Sequence, residues 1–374
     1  MHLADLRTWP MLPRTMRFGV FFELSVPRPF SAEREREVFE SALAQARLAD
    51  ELGFECAWAV EHHFLEEYSH CSAPELFLTA VAMQTRRIRV GHGAVVCVPE
   101  INHPIRVAER AAFLDILSGG RLELGTARSS TWTEIGGFQA DPDATKKDWD
   151  EYVRVLPRMW MQERFAHQGR CFSMPERAVL PKPLQKPHPP LWVTVTSPGT
   201  ELDAADRGLG CLGVATAGFA EQERRTREYH RRIQLCEPVG GAVNDRVATL
   251  NFLYCHEDAR LAAERGILFL GSFGLLNAHL LFTREAYPTS AYQSLANLAP
   301  SPSKQGGPGE RPAVPEGVCL GDPREIIQAI KRWESIGVDQ INFLLNAVEV
   351  LPQEQVLESL RLFAREVMPA FAAC

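Results

Sequence analysis

One pattern recurs along this chain and limits the folds open to it: an amphipathic helix stopped by glycine and followed by an apolar, strand-like run. It first appears where REREVFESALAQARLADEL (34–52), with Val38, Phe39, Ala42, Ala46 and Ala49 on one stripe, meets Gly53 and then FECAWAVE. It returns in FLDILSGGRLELGTA (113–127), ELDAADRGLGCLGVA (201–215) and KRWESIGVDQINFLL (331–345). These junctions run from residue 53 to residue 337, so βα units occupy nearly the whole chain. Further strands are expected at 17–22, 88–98, 191–196 and 247–254, with helices near 104–117, 146–163 and 354–367. About eight strands alternating with helices define a parallel α/β fold. No compositional break divides the 374 residues into halves, so a (β/α)8 TIM barrel fits better than a doubly wound sheet. GLGCLG (208–213) matches GxGxxG by letter, but it follows a helix and opens a strand, the reverse of the dinucleotide fingerprint.

The expected organisation is an extension over 1–15 and one barrel domain over 16–371. The Pro/Gly-rich stretch LAPSPSKQGGPGERPAVPEG (298–317) falls between the seventh and eighth strands and reads as a disordered insertion or as a mobile lid over the barrel mouth. As a lid it extends over 284–316, with Tyr287 and Tyr292 placed to cover a substrate.

Charge excludes one class of partner. The net −7 comes from 47 acidic and 40 basic residues spread without a basic tract, which is no footprint for nucleic acid. The start lacks the apolar core of a signal peptide and no segment reaches membrane-spanning length, so a soluble, cytoplasmic protein without membrane partners is expected. Nine cysteines without a CxxC pair read as reduced and buried. No metal site is expected, because the histidines near residue 62 lack the HExxH spacing.

Barrel chemistry gathers where strands end. Those ends carry Glu23, Glu61, His62, His63, Gly93, Ala94, Arg128, Ser129, Thr196, Ser197 and Thr200. Strand alternation sends His62 and His63 to opposite faces, so only one reaches the site, and either could instead be a histidine bonded at a strand end. In TVTSPGTELDAA (194–205), Ser197 reads as an N-cap with Pro198 at the first helical position, a start able to bind phosphate; an ordinary capped helix reads from the same residues. Arg128 is the matching cation, or a surface ion pair. Glu23 and Glu61 could also be the paired carboxylates of a glycoside hydrolase.

Five segments in order resemble the bacterial-luciferase-like, flavin-dependent monooxygenases: RFGVFF; ELGFECAWAVEHHF; RIRVGHGAVVCVPEINHPIRVAERAAFLDILSGGRLELGTARS; PLWVTVTSPGTELDAADRG; and GDPREIIQAI through IGVDQINF to SLRLFAREVMPAF. The resemblance covers 16–371 apart from 270–316. It implies a TIM barrel that takes reduced FMN from a separate flavin reductase and forms a flavin hydroperoxide with O2 to oxygenate a small organic substrate. It makes His62 the residue facing the flavin and turns His63 away to hold the strand end. It places Gly93 and Ala94 at a non-proline cis peptide beneath the isoalloxazine, and Arg128, Thr196, Ser197 and Thr200 at the FMN phosphate. Glu23 would face the substrate, and a homodimer is implied, formed through helices of the first half. Two positions depart from luciferase: Ala127 replaces its reactive cysteine and Thr196 its glutamate, which argues against its aldehyde chemistry. An F420-dependent oxidoreductase of the same fold and a non-catalytic flavin-binding partner subunit are the alternatives.

Overall fold

A computed structural model describes residues 7–8, 15–129, 131–214, 218–282 and 311–372. Eight parallel strands close into a barrel: β1 (Arg17–Phe22), β2 (Cys56–Ala59), β3 (Arg89–Val96), β4 (Leu122–Ala127), β5 (Leu191–Val195), β6 (Gly210–Val214), β7 (Val247–Cys255) and β8 (Gln340–Leu344). Each pairs with its neighbour in chain order. The ring shuts where Val247 of β7 registers with Cys211 of β6, and Phe343 of β8 with Val20 of β1. The strands lie within a residue or two of their expected bounds. This is the (β/α)8 TIM barrel that the glycine-stopped junctions require.

Around it run α1 (Ala32–Leu52), α2 (Pro74–Gln84), α3 (Pro104–Leu117), α4 (Trp132–Gly137), α5 (Thr145–Met161), α6 (Thr200–Asp206), α7 (Phe219–Ile233), α8 (Ala259–Phe282), α9 (Pro323–Ser335) and α10 (Gln353–Glu366). Gly53 ends α1 at φ +87°, and its N–H reaches back to Ala49 and Asp50. Local patterning left several pieces unseen: α2, α4, α7 and α8; the antiparallel pair Phe165–Gln168 with Ser173–Arg177; and Cys319–Gly321, added beside β7. Within the expected N-terminal extension, Arg7–Thr8 pairs with Ala242–Val243. The lid expected over 284–316, with Tyr287 and Tyr292, lies outside the described residues except for 311–316, where Arg311 grips Glu325 of α9 through both guanidinium nitrogens at 2.7 Å.

The barrel is filled rather than hollow. Trp58 of β2 and Trp192 of β5 are fully buried and meet edge to face, with centroids 5.6 Å apart. Glycine on the next strand admits each ring. A Cβ on Gly91 would lie 2.3 Å from Trp58, and one on Gly210 would lie 2.5 Å from Trp192. Below them, at the N-terminal ends of the strands, Glu123 accepts from Arg89 at 2.5 Å, from Trp192 Nε1 at 2.6 Å and from Arg246 at 3.3 Å. These cations outweigh the cost of burial and hold the Glu123 carboxyl below its usual range. Among the described residues, no helix is long and apolar enough to cross a membrane.

Candidate active site

Backbone strain marks one end of the barrel. Six described non-glycine residues adopt positive φ, and five of them (Leu24, Phe64, Ser129, Val348 and Glu349) follow the C-terminal ends of β1, β2, β4 and β8. Such outliers collect at functional sites. Three of them flank the groups that converge there.

His62 is the centre of that convergence. Its Nδ1 lies 3.0 Å from Glu134 Oε1, and its Nε2 lies 3.8 Å from Glu23 Oε2. Glu134, on α4, is fully buried and accepts four hydrogen bonds. Oε1 takes His62 Nδ1 and the His63 N–H (3.1 Å), while Oε2 takes the hydroxyls of Ser129 (2.8 Å) and Thr131 (2.7 Å). Burial works against the charge on His62, but Glu134, Glu23 and Glu61 outweigh it and lift the imidazole to about 9. Burial raises Glu23 to about 7 despite the pull of His62 and a hydrogen bond from Tyr68 (3.4 Å). Glu23 is only 4% exposed, and its Oε2 has no hydrogen-bond partner among the described residues. The Tyr68 ring stands edge-on to His62 at 5.4 Å and leans on Phe273 of α8, which places an aromatic wall beside His62 and Glu23.

His63 goes elsewhere. Its Nε2 bonds Glu61 Oε1 at 3.1 Å and its ring packs against Phe138. The expected cause, strand alternation, is corrected by the structure: β2 ends at Ala59, so both histidines lie in the following loop. They diverge because Glu134 takes the ring of one and the backbone of the other. Glu61 is no free catalytic carboxylate either. Its oxygens accept from His63, Asn102 Nδ2 (2.7 Å) and the Val96 N–H (2.9 Å).

The Gly93–Ala94 peptide is cis, at the point where the pairing of β3 with β4 slips between His92 and Val95. A Cβ on Gly93 would come within 2.8 Å of Phe21. Arg128, half-buried at the end of β4, has no ion-pair or hydrogen-bond partner among the described residues. Thr196, Ser197 and Thr200 lie at the end of the neighbouring β5. The helix start expected there is displaced: α6 begins at Thr200 with Gly199 (φ +90°) as its cap, and Ser197 is not the N-cap. The reason is Glu201, whose carboxylate accepts the Gly199 N–H at 2.9 Å and pairs with the buried Arg225 at 2.8 Å, while Arg225 also donates to the Ser197 carbonyl at 3.2 Å. Glu134, Tyr68 and Arg225 were not singled out from the sequence. For Glu134 there was a signal in Thr131-x-x-Glu134, the spacing of a capping box.

Residues 16–340 match the family model described as luciferase-like monooxygenase. The oxygenase component of the flavin-dependent trigonelline monooxygenase of Acinetobacter baylyi is 26% identical over 364 residues, 96% of each chain. Monooxygenase RslO1 of Streptomyces bottropensis superposes with a TM-score of 0.78 at 26% identity, over 96% of this chain and all of that one. The oxygenating constituent of 3,6-diketocamphane monooxygenase of Pseudomonas putida, solved with FMN, gives 0.72 at 19% identity over 96% of this chain and all of that one, a likeness of fold. The chain belongs to the luciferase-like monooxygenase family.

Proposed function

We propose that this protein is the oxygenase of a two-component system, taking reduced FMN from a separate reductase and using O2 to oxygenate a small organic substrate at the barrel mouth. The observation that carries this is His62, an imidazole held between Glu134 and Glu23 at the strand ends of a barrel of this family. The full-length likeness to a protein named as an oxygenase component supports the reductase.

The residues present fit FMN. Arg128 is a cation without an ion-pair partner among the described residues, beside the turn that carries Ser197 and the Thr200 N-terminus of α6. Together with Thr196 they would hold the phosphate, and the Gly93–Ala94 segment would lie under the ring system. Reduced FMN, when bound, supplies the electrons that activate O2. His62 holds a proton at Nε2 toward the mouth, and Glu23, raised to about 7, is placed to take it or return it as the reaction requires. Tyr68 and Phe273 offer an organic substrate an aromatic face and keep water from the pair.

Titration with enzymatically reduced FMN and reduced F420 in parallel, following binding and oxygen uptake, tests the reading. Binding of FMN with oxygen uptake is expected; binding of F420 alone would refute it. His62→Ala should keep FMN binding and lose product by about 10²-fold or more. Arg128→Ala and Ser197→Ala should each weaken FMN by roughly 1.5–3 kcal/mol.

A further inference from the structure

Among the described residues, two helices begin with the spacing of a capping box, and one of them closes it. At α9, Asp322 accepts the Glu325 N–H at 2.9 Å and the Glu325 carboxylate returns to the Asp322 N–H at 3.1 Å. At α4, Thr131 accepts the Glu134 N–H at 3.2 Å, but the return bond is missing. The Thr131 N–H turns instead to Ser129 Oγ at 3.4 Å, and the Glu134 carboxylate keeps only Oε2 on the Thr131 hydroxyl (2.7 Å) while Oε1 takes the His62 ring. A residue with the spacing of a cap thus spans from its own N-cap hydroxyl to an imidazole 72 positions away.

The surroundings hold it there. Helix α4 has six residues, too few to stand alone, and it is seated by Ile135, fully buried with Val96, Val98 and Ala140. The Phe64 ring lies against Gly137, where a Cβ would approach it to 2.5 Å. Ser129 adopts φ +66°, a left-handed conformation unusual for serine, and donates its hydroxyl to Oε2. With both oxygens doubly bonded to donors, Glu134 can only accept, so the atom of His62 that faces it must carry hydrogen.

We infer that Glu134 is the positioning residue of His62: it fixes the proton of the neutral imidazole on Nδ1 and presents Nε2 alone to the barrel mouth. This rests on the reading that His62 moves a proton there. The charged and titratable groups facing His62 are Glu134 from α4, Glu23 from the end of β1, and Glu61 and Tyr68 from the loop after β2. Of these only Glu134 bonds its ring. When Nε2 gives up its proton, the ring remains the Nδ1–H form and the same nitrogen is the site of return.

The test uses nitrogen-15 NMR of histidine-labelled, FMN-free protein, with His62→Asn identifying the resonance among the 11 histidines. In the native protein, His62 should stay charged into alkaline solution and then show the Nδ1–H form. In Glu134→Gln its titration should fall by about one pH unit or more, tenfold in acid constant. FMN affinity should be unchanged in this variant, while the alkaline limb of the turnover–pH profile moves down in step. An Nε2–H form in the native protein, which needs no variant to observe, overturns the assignment, as does a Glu134→Gln titration identical to the native one. If the form and the shift are found but His62→Ala turns over normally, Glu134 still positions the ring and the proton role of His62 is what fails.

Discussion

His62 and Glu23 face each other across 3.8 Å, and both titrate higher in the folded chain than outside it. For His62 the rise is from about 6.5 to about 9, so its contribution to stability is complete below pH 6.5 and is lost as pH climbs through 9. For Glu23 the rise is from 4.5 to about 7, so its part is present below 4.5 and gone above 7. Both therefore weaken the fold as the solution becomes alkaline, His62 by something on the order of 3 kcal/mol. Denaturant unfolding should show stability declining between pH 4.5 and 9, with Glu23→Gln removing the part between 4.5 and 7; a flat profile between 6.5 and 9 in native protein would contradict the His62 geometry. His63→Ala leaves the Glu61 and Phe138 contacts unmade and should cost about 1–3 kcal/mol in the same assay. Its FMN affinity should match the native value.

At the scale of elements, the strands could be read from the sequence because each is an apolar run, four of them announced by a glycine-stopped helix, a signal that neighbouring residues carry in full. Helix α4 could not. TWTEIGG is short and rich in threonine and glycine, and Ile135 and the partners of Glu134 stabilise it from other parts of the chain. His62 was reached through the EHHF run that carries the family resemblance, whereas Glu134 was not, because a bond to a histidine 72 residues away has no spacing to betray it. The start of α6 was placed at Ser197 because Pro198 favours a first turn, and Glu201 with Arg225 moved it. Packing between strands gives a further test. A methyl group at Gly91 has no room beside Trp58, so Gly91→Ala should lose roughly 1–3 kcal/mol and Trp58→Ala roughly 3–5 kcal/mol. Chemical denaturation would measure both, and a neutral Gly91→Ala would mean the Trp58 ring is free to move aside.

Across the whole molecule, α2 and α3 lie side by side, joined by Arg110 and Glu75 at 2.6 Å. They expose Leu76 (71%), Met83 (67%), Phe113 (58%) and Ile116 (45%). Apolar side chains exposed on two adjacent helices suit an association face. The homodimer implied by the resemblance would use it, and Leu76→Glu with Phe113→Glu should convert a dimer to a monomer in sedimentation at micromolar concentration. A native protein that sediments as a monomer would leave this face without that role. At the other end of the barrel, Glu123 with its two arginines and the paired tryptophans closes the floor. Among the described residues the barrel is thus stoppered at that end, which leaves the C-terminal ends of the strands as the face open to a bound molecule. If the proposed cofactor and substrate share that face, the deeper of the two would have to arrive first and depart last, and the outer one would set how long the inner one stays.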